Sequence, residues 1–218
     1  NDPRVKITAM AKLVVEIPDG DTLFQAGKDG ARSIISQVLL KEDQEVINMA
    51  ARIAEERDMY QKAANIYKLN SEPNYIKVID IESIVLRQYI QGIYLDNHEV
   101  IGPPSRIAKE MREIVDTNSS IELQSKYNSF IILLHFANAN LLYSCGKFEK
   151  AADEISIADF LPANVDQVSF YSEKILNNAE LQVVLPDIFL LTMKIYSNLY
   201  TKALETQKRQ GYKELSDA

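Results

Sequence analysis

Apolar residues recur in this chain at steps of three and four along nearly its whole length, and strict alternation is hard to find. That spacing lays a stripe along a helix and leaves little that suits a half-buried strand. The pattern predicts helices near Arg4–Glu16, Ala31–Lys41, Gln44–Arg57, Met59–Leu69, Pro73–Gln91, Ser105–Asp116, Ser119–Ser144, Phe148–Phe160, Asn164–Asn178 and Glu180–Gln210. Pro18 with Gly20 should end the first helix, and Pro162 the eighth. Pro186 should kink the last helix or mark its true start, because its ring removes a backbone donor. Asp58 with Gln61, and Ser119 with Glu122, read as capping boxes, and Asn164 with Gln167 as a further cap. Pro103 and Pro104 lead into the sixth helix out of the longest irregular stretch, 92–104.

Two joints leave almost no loop, one at Asp58 and one at Gly146, and each predicts a tight antiparallel hairpin. Ala50, Ala51, Ala54, Ala63 and Ala64 supply small side chains where the helices of the first would touch. An internal echo joins the two places. Residues 59–65 (Met-Tyr-Gln-Lys-Ala-Ala-Asn) resemble residues 147–153 (Lys-Phe-Glu-Lys-Ala-Ala-Asp). An aromatic two positions before Lys-Ala-Ala can plug the gap beside the preceding helix while the alanines face it, which is the logic of helical-hairpin repeats. The same letters also occur in ordinary helix composition, and the spacing matches no standard repeat period. The expected fold is all-α: an irregular α-solenoid of stacked antiparallel hairpins with about nine or ten helices, forming a single domain over 1–218.

At 218 residues, 46% apolar and 25% charged, with 7 Gly and 7 Pro, the chain can bury a sizeable core and does not suit a disordered tail or a collagen. The formal net charge of -7 and a pI of about 5.0 argue against a duplex-binding surface. One cysteine, Cys145, cannot close an internal disulfide and suggests a reducing compartment. The chain starts at Asn1, as a fragment would, and shows no signal peptide. Its most apolar stretch, Phe130–Leu142, is interrupted by His135, Asn138 and Asn140 and is too short and polar to span a bilayer.

No catalytic constellation emerges. The P-loop pattern fails at Gly27-Lys28, which Asp29 follows, and no G-x-G-x-x-G occurs. His98 lies in the polar run Asp96-Asn97-His98-Glu99, which could hold a cation but reads more simply as solvated loop. His135, in an apolar run, reads as a core imidazole bonded to a carbonyl. It lies ten residues from Cys145 on one helix, about 15 Å away, too far for a nucleophile–base pair. Glu55-Glu56 and Asp153-Glu154 read as solvated faces. Asn118-Ser119-Ser120 matches a glycosylation acceptor with nothing else to indicate secretion. Tyr60, Tyr67, Tyr75, Tyr89, Tyr127 and Tyr143 read as helix-packing residues. Ile93, Tyr94, Leu95, Val100 and Ile101 put apolar side chains in the irregular stretch. They either tuck back or anchor a partner, which makes Tyr94, Leu95 and Ile101 the candidate partner-binding residues. No catalytic, cofactor or metal residue is expected.

Two segments carry a resemblance. Ala50–Ile79 has Ala-x-x-Ala-Glu, a tight turn, an aromatic, Lys-Ala-Ala, then Ile66-Tyr67-Lys68-Leu69 and Lys77-Val78. Phe130–Leu204 has a long apolar helix ending at Gly146, then Phe148, Ala151-Ala152, Ile155 and Leu161-Pro162, and then Leu185-Pro186-Asp187-Ile188-Phe189-Leu190-Leu191-Thr192-Met193. In order and spacing both resemble the nucleoporin-interacting component family, over about the last two-thirds of the chain. Arg57-Asp58 stands where the family tends to have Gly, and the family's terminal apolar helix is not evident after Gly211. The resemblance implies the C-terminal part of an α-solenoid scaffold nucleoporin of the inner ring of the nuclear pore complex. It implies other nucleoporins, scaffold and linker, as partners, with no enzyme activity, no cofactor, no direct nucleic acid and no transmembrane segment. The residues alone leave two rivals: a helical-repeat adaptor in a coat, chaperone or proteasome-lid assembly, and an all-α enzyme using the 96–99 loop and a metal.

Overall fold

In a computed structural model, the described residues are 3–18, 20, 43–69, 74–92, 104–117, 120–162, 164–176 and 178–216. Every regular element among them is helical: α1 (Pro3–Glu16), α2 (Asp43–Glu56), α3 (Tyr60–Tyr67), α4 (Tyr75–Gln91), α5 (Pro104–Thr117), α6 (Ile121–Ser144), α7 (Phe148–Ala158), a 3-10 turn (Val165–Gln167), α8 (Val168–Leu176) and α9 (Ala179–Ser216). The helix expected at Ala31–Lys41 lies outside the described residues.

The chain forms two compact units. The first takes in α1, α2, α3, α4 through Val85, α5 from Lys109 and α6 through Lys126. The second takes in the remainder of α4, α5 and α6 with α7, α8 and α9. Within each, the described helices pack side by side in the α-solenoid manner: α1 on α2 and α2 on α3 in the first, and α9 on α7 and α8 in the second.

Ala50, Ala51, Ala54, Ala63 and Ala64 are all fully buried, as the small-residue seam requires. Ala11 and Val14 of α1 and Val46 and Ile47 of α2 are buried in the unit where these two helices pack together, and Val78, Ile79 and Ile81 of α4 are fully buried as well. In the second unit, Phe130, Leu133, Phe136 and Ala137 form the inner face of α6, and Ala151 and Ile155 that of α7. Phe136 packs edge-to-face on Phe160 with ring centroids 6.1 Å apart.

Both expected joints are present, and their backbones match. After α2, the Asp58 N–H donates to Glu55 O at 3.0 Å and the Met59 N–H to Ala54 O at 2.9 Å. After α6, the Gly146 N–H donates to Tyr143 O and the Lys147 N–H to Leu142 O, both at 2.9 Å. Each is a Schellman motif, with its reversing residue left-handed, at φ 59 for Asp58 and 70 for Gly146. Met59 and Lys147 then open the next helices with nearly equal angles, φ/ψ -84/58 and -92/60. The echo in the letters is therefore an echo in geometry. It also corrects the reading of Asp58, which terminates α2 rather than capping α3. Asp58 instead accepts from the Tyr60 hydroxyl at 2.6 Å, and α3 has no side-chain cap because Met59 belongs to the preceding motif.

Other helix starts use side-chain caps. Asn74 accepts from Lys77 N–H at 3.1 Å and so opens α4, Asn164 accepts from Gln167 N–H at 3.2 Å, and Asn178 accepts from Leu181 N–H at 3.1 Å. At α6 the Ser120 hydroxyl lies 3.4 Å from Leu123 N, so the cap falls one residue after Ser119. Pro73 and Ser119 themselves lie outside the described residues. α9 starts at Ala179 and runs on past Pro186, which sits at an exposed position inside the helix.

Four helix ends are closed by a donor from a later helix. Lys62 of α3, nearly buried, places Nζ 2.8 Å from Val15 O and 2.5 Å from Ile17 O at the end of α1. Asn140 Nδ2 donates to Tyr89 O of α4 at 2.6 Å, and Lys174 Nζ to Asp159 O behind α7 at 2.9 Å. Gln182 Nε2 donates to Leu176 O of α8 at 2.8 Å. Carbonyls at a helix end lack the i+4 donor of the helix interior, and each of these bonds supplies a donor there, on Ile17 O beside the Gly20 N–H and on Tyr89 O beside the Gly92 N–H.

Candidate partner-binding surfaces

The candidate anchors Tyr94, Leu95 and Ile101 lie outside the described residues, as do His98 and the 96–99 loop and the glycosylation pattern at Asn118-Ser119. The surfaces that the structure describes are elsewhere.

In the first unit, a cavity of about 710 Å³ is lined by residues of α2, with Tyr67, Asn74 and Lys77. Lys77 Nζ pairs with Glu55 Oε2 at 2.9 Å. Burial, and next the Glu55 carboxylate opposite, push the Tyr67 phenol well above its ordinary pKa. Tyr67 is therefore a fixed proton donor, unsuited to act as a base. This corrects the reading of Glu55 as a solvated face residue: it is half-buried and ion-paired.

In the second unit, His135 Nδ1 lies 2.8 Å from Glu154 Oε2, which ties α6 to α7. The imidazole is half-buried and its partner is a carboxylate rather than a carbonyl, so Glu154 too is more than a solvated residue. Cys145 is exposed at the end of α6. Asn198 Nδ2 donates to the Tyr143 hydroxyl at 3.3 Å, and Lys202 Nζ pairs with Glu149 at 2.8 Å, joining α9 to α6 and α7.

A second cavity, of about 580 Å³, opens between α7, α8 and α9. Leu161, Pro162 and Tyr171 form one wall, and Phe189, Met193 and Tyr196 the other. Tyr171 donates to Asp159 Oδ1 at 2.5 Å, and that carboxylate, with burial second, holds its phenol above the ordinary value. This groove, and the exposed apolar face of α9 beside it, were missed in the residue-by-residue reading. The three-and-four spacing of Val183, Leu190 and Met193 was the available signal.

Among the described residues, no group of three His, Cys, Asp or Glu side chains could hold a metal, and no helix is long and apolar enough to cross a membrane. What remains is a helical stack with apolar and aromatic surfaces, which is the equipment of a protein that holds others in place. The family model described as Nup93/Nic96 matches residues 4–217, and the chain belongs to that family. The family consists of structural nucleoporins, components of the nuclear pore complex at the nuclear envelope, and is not known as enzymatic. The match also takes in the N-terminal residues that the resemblance covered weakly. A comparison with curated proteins finds no match.

Proposed function

We propose that the chain is a non-enzymatic scaffold module of the inner ring of the nuclear pore complex. In this role it helps assemble the pore and thereby supports nucleocytoplasmic transport, with residues 1–218 acting as one α-solenoid domain. Its partners on this reading are other inner-ring scaffold and linker nucleoporins. The observation that carries it is the family match over residues 4–217. The side-by-side packing of the described helices supports it, since hairpin stacks bury a core and leave long side faces free for partners. The net charge of -7 favours protein over nucleic acid as the bound surface. The test is to tag the full-length protein at its own locus. A nuclear-rim signal and co-purification with inner-ring components are expected. A diffuse cytosolic signal without those partners rejects the proposal.

A further inference from the structure

Among the described residues that line the 580 Å³ groove between α7, α8 and α9, the one formal charge is the carboxylate of Asp159. Asp159 follows the last residue of α7, with left-handed backbone angles (φ 43, ψ 49) and an exposed side chain. One of its oxygens accepts from the Tyr171 hydroxyl, and the carboxylate makes no ion pair among the described residues. The last turn of α7 carries no basic residue, so the negative end of the helix dipole adds to the same charge. Residues 148–176, which build two sides of the groove, hold six acidic residues against two lysines.

The rest of the lining is mostly aromatic and apolar. Phe189 and Tyr196, 45% and 47% accessible, stand on α9, and neither packs against another ring among the described residues. An aromatic face is negative and attracts a cation that lies within about 6 Å of the ring centre. The chain supplies its own instance, because Lys174 Nζ donates to Asp159 O at 2.9 Å and lies 5.7 Å from the Tyr171 centroid. That ammonium does not line the groove and makes no ion pair with the Asp159 carboxylate. The charged residues of α9 between Leu181 and Tyr200, Asp187 and Lys194, line a different recess beside Gly92 and Asn140.

We propose that this groove takes a basic side chain, arginine or lysine, of a partner polypeptide. Its methylenes lie against Leu161, Pro162 and Met193, and its charged head sits by the rings and Asp159. An acidic side chain would meet a carboxylate and a helix C-terminus of its own sign. A purely apolar one would take water from that carboxylate and give it no partner. Arginine suits the site best, since its planar head both stacks on rings and forks onto a carboxylate. Phe189, Met193 and Tyr196 are exposed along one side, so the side chain can enter from a longer chain passing over α9. This holds whichever assembly the protein serves, and a failed rim localisation leaves it standing.

The test places a photo-crosslinking amino acid at position 167, an exposed place on the groove wall, in the full-length protein in its own cells. The linked peptide is sequenced by mass spectrometry, and a single segment with arginine or lysine beside the link is expected. Asp159→Asn should cut the yield about fivefold, the worth of one exposed charge pair at the top of its range. Asparagine tolerates the left-handed backbone and still accepts from Tyr171, so the melting temperature should not change. Phe189→Leu, at an exposed position, should give a separate loss of about threefold through the ring alone. Replacing the partner's basic residue by glutamine should match Asp159→Asn, and the two together should cost no more than either one. A link to a second copy of this chain, a segment with no basic residue at the link, reaction with solvent alone, or losses that add in full would each overturn the proposal.

Discussion

Gly146 and Gly20 are both difficult to replace, for different reasons. At Gly146 an added Cβ meets nothing within 4 Å, so the cost is the left-handed backbone alone. Gly146→Ala is therefore expected to lower stability by about 1 kcal/mol. At Gly20 an added Cβ would lie 1.9 Å from the Val14 carbonyl oxygen, a backbone atom that cannot turn aside. Gly20→Ala is expected to cost about 3 kcal/mol, since the turn behind α1 must open to admit it. Urea titration of the two variants should give that order, and an equal loss would sink the distinction. Lys62 works beside Gly20, because its ammonium holds carbonyls at the end of α1. Lys62→Met keeps most of the stem's packing and removes the charged donor, so a loss of about 2 kcal/mol is expected in the same titration.

At the scale of elements, the hairpin of α2 and α3 depends on how closely two axes approach. Ala54 and Ala63 are fully buried, and Ala54 also gives the carbonyl that closes the Schellman motif. Ala54→Leu must force three extra carbons into that seam, and a loss of about 3 kcal/mol in a thermal or denaturant melt is expected. The corresponding carbonyl of the other hairpin belongs to Leu142, so a leucine is already accommodated there, and Ala152, the half-buried counterpart of the fully buried Ala64, should tolerate a leucine better than Ala54 does. The tie between α7 and α9 has a different signature. Lys202 holds the Glu149 carboxyl below its ordinary pKa of 4.5, first by the hydrogen bond and then by charge. A depressed folded-state pKa gives stability that is present above the unfolded value and is lost as pH falls through the folded value. Glu149→Gln should thus lower the melting temperature slightly at pH 7 and make no difference once both states are protonated in acid. Because the pair is exposed, salt should shrink the difference as well.

Much of this was legible in the letters, because helical spacing is set by a period the fold cannot alter. The alanine seam and the Gly146 joint follow from it directly. Asp58 was misread for a chemical reason: aspartate both caps helix starts and tolerates the left-handed region, so the letter does not separate the two uses. Glu55 was misread because its partners, Tyr67 and Lys77, come from α3 and α4 and meet it only after folding. His135 and Glu154 are likewise joined by the hairpin rather than by sequence. On α9 the signal was present but ambiguous, since apolar spacing on both faces also describes a fully buried helix.

For the molecule as a whole, a scaffold has no turnover to set its output, so its function should track how much of it is folded and how much of its surface is free to dock. That separates two classes of damage. Gly20→Ala in the full-length gene lowers the folded fraction, and its effect should grow with temperature, since marginal stability makes a loss of about 3 kcal/mol large. Met193→Asp alters an exposed side chain of α9 and should leave the melting temperature within about 1 °C of wild type, as surface changes usually do. Quantitative imaging of the tagged protein at the nuclear rim, at two growth temperatures, checks this. The Gly20 variant should fade at the higher temperature together with its total abundance. The Met193 variant should keep its abundance at both temperatures, and any rim signal it loses should be lost equally at each. A rim signal that ignored the Gly20 lesion at both temperatures would mean that this helical stack is not what holds the protein in place.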